Sequence, residues 1–210
     1  MNPPAWNEIG QSEDPAVELL SALGYSFLEA DAIGRESYRD VVLVDRLRAA
    51  LRNLNPWLSD ENLHRTIREI VDVPATSLLE SNEKAHTVLC FGMTVEQDRG
   101  DGKKSHTVRL VDFDEPTAND LVVTRQIKIK GQKQHVIPDV VVYVNGIPLA
   151  VVECKNPTLG DKWLHEGIEQ LERYQELGER FRGLGAPHLF HTAQILVATC
   201  GQGARFGTVG

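Results

Sequence analysis

Residues 138–155 read PDVVVYVNGIPLAVVECK, from Pro138-Asp139 through Asn145-Gly146 to Glu153-Cys154-Lys155. Two apolar runs flank Asn145-Gly146, and Asn-Gly in that position is a strong hairpin signal because both residues accept the positive φ of a tight turn. The reading is two antiparallel strands, Val140–Val144 and Leu149–Cys154. Side chains alternate along a strand, so Glu153 and Lys155 share a face. Charged groups at the ends of otherwise apolar strands need a reason, because burying them is costly.

Register decides whether Asp139 joins them. A two-residue loop with regular pairing sets Val144 opposite Ile147 and Asp139 opposite Val152, which leaves Glu153 on the other face. A three-residue connection, or an equivalent bulge, sets Asp139 opposite Glu153. In that case two carboxylates and an ammonium converge. Two carboxylates a few ångströms apart repel unless a cation sits between them. A hard divalent ion such as Mg²⁺ suits carboxylate oxygens completed by water and phosphate oxygens. Such an ion polarises a phosphoryl oxygen and lowers the pKa of bound water, and Lys155 can stabilise developing charge, so the chemistry indicated is phosphodiester hydrolysis.

Outward from this hairpin the chain reads as α/β. Upstream, residues 13–24 (EDPAVELLSALG) suit a short helix, with Pro15 in the first turn and Gly24 as C-terminal cap. Tyr25–Leu28 looks extended. Residues 39–53 have helical apolar spacing ended by Asn55-Pro56. Ser59-Asp60-Glu61 caps a third helix running to about Val73 and stopped by Pro74, and a fourth runs from about Thr76 to Phe91. From about residue 105 the pattern changes. His106–Phe113 begins extended, Leu121–Lys130 reads as one strand, Lys162–Phe181 as a long helix and Gln194–Thr199 as the last buried strand. The expectation is a mixed sheet flanked by helices, in one domain spanning 1–210. Its first portion, to about residue 100, is mainly helical, and sheet and helix occupy about 104–200.

Length and composition fit one well-buried globular unit: 210 residues, 41% hydrophobic, 25% charged. The net charge of −8 argues against a small free-standing nucleic-acid binder. That charge is uneven. Residues 1–120 net −10, whereas residues 121–137 carry Arg125, Lys128, Lys130 and Lys133 and no acid. This island reads either as an edge strand guarded by lysines or as a strip that contacts phosphates. Cys90, Cys154 and Cys200 are odd in number and far apart, which fits a reducing cytoplasm rather than a disulfide framework or zinc site. The N-terminus lacks the pattern of a leader, and no apolar run is long enough to span a bilayer. His188-x-x-His191 lacks an evident third ligand and reads as a loop; no phosphate-binding G-x-x-x-x-G-K-[ST] occurs.

Asp139 followed by Glu153-x-Lys155 resembles the PD-(D/E)xK nuclease motif. The segment IPDVVVYVNGIPLAVVECKNP is similar to the endonuclease region of the R subunit (HsdR) of type I restriction enzymes. So are Glu13 with Gly24-Tyr25, Asn53-Leu54-Asn55-Pro56, Asn82 to Gly92, Val111-Asp112 with Asn119-Asp120, Gln126, and Ala193 to Gly203. The resemblance implies a restriction-endonuclease-like fold and Mg²⁺-dependent cleavage of double-stranded DNA, with Asp139 and Glu153 as metal ligands and Lys155 as the catalytic group that stabilises developing charge or helps position the attacking water. It also implies that Gln170 and Tyr174, as a QxxxY motif on one helix face, border the site, and that an acid on the first helix, Glu13 or its rival Glu18, joins it. It further implies a prokaryotic, cytoplasmic protein, longer than this chain, with ATP-binding helicase domains beyond residue 210 and with methyltransferase (M) and specificity (S) subunits as partners. Arg125, Lys128, Lys130 and Lys133 are the DNA-contact candidates.

Overall fold

The computed structural model describes residues 9–73 and 76–210. The N-terminal octapeptide read as lacking a leader, and Pro74, expected to stop the third helix, lie outside the described residues. The architecture is α/β, as the sequence pattern predicts. Helix α1 (Asp14–Ala22) follows a π-helical turn at Ile9–Glu13 and leads into strand β1 (Ser26–Phe27). Helices α2 (Val44–Leu54), α3 (Asp60–Val71) and α4 (Leu78–Phe91) come next. Ser59 and Ser77 cap α3 and α4 by accepting from the amides of Asn62 and Glu80.

A hairpin of β2 (Met93–Asp98) and β3 (Lys103–Val108) follows, then β4 (Leu121–Arg125) and a small hairpin of β5 (Ile129–Lys130) and β6 (His135–Val136). Strands β7 (Val140–Val144) and β8 (Ile147–Cys154) precede helix α5 (Lys162–Gln175), and β9 (Ile195–Thr199) and β10 (Ala204–Gly207) close the chain. The main sheet has the order β1-β4-β7-β8-β9-β10; β1 is parallel to β4 and β8 to β9, and the other pairs are antiparallel.

One face of this sheet packs on α5 through Val141, Tyr143, Val151, Leu171, Leu196 and Ala198. The other face packs on α1 through Val123, Val140, Val142 and Val152. A second core joins α2, α3, α4 and the β2–β3 hairpin. Asparagines weld the layers together. Asn55 exchanges hydrogen bonds with the backbone N–H and C=O of Arg109, and Asn82 donates to the carbonyls of Phe190 and Ala193. Asn145 is fully buried at the turn: its Nδ2 donates to Leu110 O and to Asn119 Oδ1, and its Oδ1 accepts from Asp120 N.

Several elements differ from the sequence expectation. The second helix starts at Val44, because the Leu43 amide turns away to Gly146 O (2.8 Å). The stretch 121–130 is not one strand. Gln126 takes a left-handed conformation (φ 52°), which ends β4 and throws the chain into the β5–β6 hairpin. The last helix stops at Gln175 rather than Phe181, because Glu176 (φ 61°) and Gly178 (φ 82°) take positive φ and break the α-helical path. Strand β2 and the exposed final strand β10 have no counterpart in the sequence expectation, and β9 is the last buried strand.

Candidate active site

The β7–β8 hairpin resolves the register question. Its turn is the two-residue Asn145-Gly146 form, with φ 53° and 78°, and Val144 faces Ile147. Pairing does not stay regular. Tyr143 faces Pro148 but Val142 faces Ala150, so Leu149 is an extra, bulged residue. Beyond the bulge Val140 faces Val152, and this register, carried one residue past the end of β7, sets Asp139 opposite Glu153. The bulge thus supplies the residue that a three-residue loop would have supplied.

Asp139 and Glu153 both lie on the α5 side of the sheet and both are buried. Asp139 Oδ2 accepts from the Cys154 amide (2.7 Å), which locks this carboxylate to the neighbouring strand. Glu153 Oε1 accepts from Lys155 Nζ (2.5 Å), and Lys155 is itself 7% exposed. Glu153 Oε2 is buried with no hydrogen-bond donor facing it among the described residues. Desolvation, and after it the Asp139 charge, push the Glu153 carboxyl up to about 9, against the opposing pull of Lys155.

The helix after the motif closes one wall. Gln170 Nε2 donates to Tyr174 Oη (2.7 Å), and that hydroxyl donates to Ile137 O (3.1 Å), two residues before Asp139. Burial first, and the Glu153 charge second, raise the phenol's pKa, so Tyr174 stays a neutral donor. Its ring also packs in the core with Leu171, so the packing and site-border roles coincide. Gly167 allows α5 this close approach: a Cβ there would sit 2.9 Å from Ala198 Cβ and 3.7 Å from Lys155 Cγ.

Glu13 reaches the same place from the turn before α1 and is 2% exposed, whereas Glu18 is exposed on α1. Gln126 links Glu13 to the hairpin: its Nε2 donates to Glu13 Oε2 (3.0 Å) and to Asp139 Oδ1 (3.2 Å), and its amide donates to Asp139 O (3.0 Å). In the sequence Gln126 stands out only through the family resemblance, because a single polar residue within a β-branched run fits a continuous strand as well as a strand end.

The basic candidates divide. Arg125 turns toward α1, pairs with Asp14 (2.6 Å) and lies over the Phe27 ring, so the structure does not group it with the lysines. Lys128, Lys130 and Lys133 lie on or beside the β5–β6 hairpin, where Lys133 Nζ donates to Arg182 O (3.0 Å). His188 lies within the short 3-10 turn Pro187–Phe190 and His191 follows it, and burial lowers both imidazole pKa values.

The donor set fits a hard cation. Asp139 and Glu153 offer carboxylate oxygens, one of them buried and without a donor, and this is the environment a divalent ion would relieve. Among the described residues no group of three His, Cys, Asp or Glu side chains is placed to hold a metal ion, so an ion between Asp139 and Glu153 would have to take its remaining ligands from water and substrate oxygens. No helix among the described residues is long and apolar enough to cross a membrane.

Comparison with known proteins gives a consistent answer. The chain is 30% identical over 206 residues to the type I restriction enzyme HindI endonuclease subunit of Haemophilus influenzae, covering 94% of this chain and 19% of that protein. It is 27% identical over 212 residues to a Methanocaldococcus jannaschii protein named for the type I restriction enzyme MjaIXP endonuclease subunit, covering 96% of this chain and again 19% of the relative. The chain therefore spans about a fifth of the length of these relatives. The profile of the family described as type I restriction enzyme R protein N terminus matches residues 6–210. This chain belongs to the family of type I restriction enzyme R protein N termini.

Proposed function

We propose that this chain is the DNA-cleaving unit of a type I restriction R subunit, a nuclease of the PD-(D/E)xK kind that hydrolyses phosphodiester bonds of double-stranded DNA with Mg²⁺. The observation that carries the reading is the opposition of Asp139 to Glu153 across the bulged hairpin, with Lys155 on Glu153 and one buried carboxylate oxygen without a donor. Asp139 and Glu153 are the proposed ligands of the ion, with Glu13 close by through Gln126. When bound, Mg²⁺ supplies Lewis acidity toward the phosphoryl oxygen and an acidified water.

The chain's own groups do the rest. Lys155, held by Glu153, places a positive charge where the phosphorane builds negative charge. Tyr174 and Gln170 fix the wall beside Ile137 and so hold the strand that carries Asp139. The Cys154 amide fixes the second Asp139 oxygen, leaving the carboxylate no rotational freedom. In the intact subunit, ATP-driven domains beyond this chain and the methyltransferase and specificity subunits would deliver unmodified foreign DNA to the site, in a prokaryotic cytoplasm.

The test is Asp139→Ala and Lys155→Ala in the complete subunit. Both variants are expected to lose DNA cleavage while ATP hydrolysis continues at the wild-type rate. Cleavage that persists in either variant overturns the assignment.

A further inference from the structure

The chain is acidic, yet three cations without an acidic partner stand close together at one place on it. Most of its arginines and lysines hold a carboxylate. Among the described residues Arg39, Lys128 and Lys130 do not, and the backbone brings them together. Arg35 Nη2 donates to Lys128 O (2.7 Å), and Lys130 N donates to Tyr38 O (2.8 Å), which fastens the loop at 35–40 to the β5–β6 hairpin. The Tyr38 ring is 52% exposed, with the Arg35 guanidinium 5.2 Å and the Lys128 ammonium 5.4 Å from its centroid. Arg39 and Lys130 line a recess of about 420 Å³ together with Gln132 and His188. Glu176, the carboxylate on its wall, accepts from Gly185 N (3.1 Å).

Lysines on strands commonly guard an open sheet edge. That account fails here. Strand β4 lies between β1 and β7, and β5 pairs with β6 on one side while its Lys130 amide is taken by Tyr38 on the other. The hairpin is also pinned to the loop at 182–185. Lys133 Nζ and Gln134 Nε2 donate to Arg182 O and Leu184 O, and Gly131 packs so tightly on Gly185 O that any side chain would collide. Cations mounted on a fixed scaffold lose little freedom on binding an anion.

We infer that the loop at 35–40 and the β5–β6 hairpin form a prebuilt track for the phosphate backbone of duplex DNA, with Arg39 and Lys130 as its principal phosphate contacts. The inference rests on the nuclease reading for its choice of anion. Placement supports it: Lys130 pairs with His135, and Asp139 lies four residues beyond His135. Four residues reach at most roughly 13 Å, so the two lie within about four nucleotide steps of each other along one strand.

The test is anisotropy of a labelled 30-base-pair duplex with this chain in EDTA, across a salt series. Each lost phosphate contact lowers the slope of log affinity against log salt by about 0.9, so Arg39→Ala/Lys130→Ala should flatten it by about 1.8. The affinity lost between 50 and 200 mM salt should shrink about tenfold. Arg68→Ala/Lys162→Ala removes the same charge from exposed sites elsewhere and should leave the slope unchanged. An Arg39→Ala/Lys130→Ala protein that binds with the wild-type slope overturns the track and leaves the nuclease reading standing. Wild-type protein that shows no salt-dependent binding overturns the track as well. The nuclease reading is judged separately, by cleavage in the Asp139→Ala subunit.

Discussion

Replacing Glu153 by Gln should stabilise the metal-free protein, by an amount that depends on pH. Glu153 is fully buried beside Asp139, and its carboxyl ionises at about 9 when folded against 4.5 when unfolded. Between those values the native chain holds a proton that the unfolded chain releases. The native state binds more protons, so stability falls as pH rises through this interval, by ~1.4 kcal/mol per pH unit. At pH 7.5 the deficit approaches about 4 kcal/mol. Gln has no proton to lose, and its amide can make the donation to Asp139 that the protonated acid makes. Any weakening of the hydrogen bond that Lys155 donates to Oε1 of residue 153 offsets part of the gain, leaving about 1–3 kcal/mol. The assay is urea unfolding in EDTA at pH 5 and pH 8.5, where a gain of 2 kcal/mol moves the midpoint by roughly 1 M. The Gln variant should be the more stable protein at pH 8.5, and the gap should close toward pH 5. A gap of equal size at both pH values, or a Gln variant less stable at pH 8.5, refutes the reasoning. Added Mg²⁺ should raise the wild-type midpoint and leave that of the variant in place.

Asn145→Ala strands the Leu110 carbonyl and the Asp120 amide and puts Ala at φ 53°, so it should cost about 3 kcal/mol or more; a urea midpoint within 0.5 M of wild type contradicts this. Gly167→Leu forces α5 away from Ala198 and Lys155, and in the complete subunit it should reduce cleavage at least tenfold while ATP hydrolysis continues; undiminished cleavage contradicts it. Thiol titration with Ellman's reagent should find Cys90 alone in the native chain and all three cysteines in denaturant, because Cys154 and Cys200 are buried and burial pushes the Cys154 thiol up to about 12.

The chemistry of the site was legible in the sequence wherever a rule of alternation or spacing acts over a few residues. The hairpin turn, the shared face of Glu153 and Lys155, and the four-residue spacing of Gln170 and Tyr174 are of that kind. The register was not legible, because the turn is fixed by partners far away in the chain: Leu110, Asn119 and Asp120 on Asn145, and Leu43 on Gly146. With that end anchored, the Leu149 bulge absorbs the odd residue. Gln126 escaped for a similar reason. Its left-handed backbone is imposed by where its side chain and amide must go, to Glu13 and Asp139, and no local preference announces it. The asparagines at 55, 82 and 145 stood inside segments that carried the family resemblance, and they turn out to be interlayer clamps. Their positions say more about how the layers hold together than about catalysis.

The Leu149 bulge also bears on how the distance between turn and motif is to be counted. Deleting Leu149 would leave every cross-strand partner as it is: Tyr143 with Pro148, Val142 with Ala150, and so on outward to Asp139 with Glu153. The stretch from Asn-Gly to Glu-x-Lys therefore admits two lengths with one and the same set of neighbours. The stretch from Asp139 to Asn145 has no such slack, because losing one residue there would turn the aspartate to the opposite side of the sheet. A chain with the shorter second strand would look misaligned by one position in sequence and yet carry the same pair of carboxylates in space.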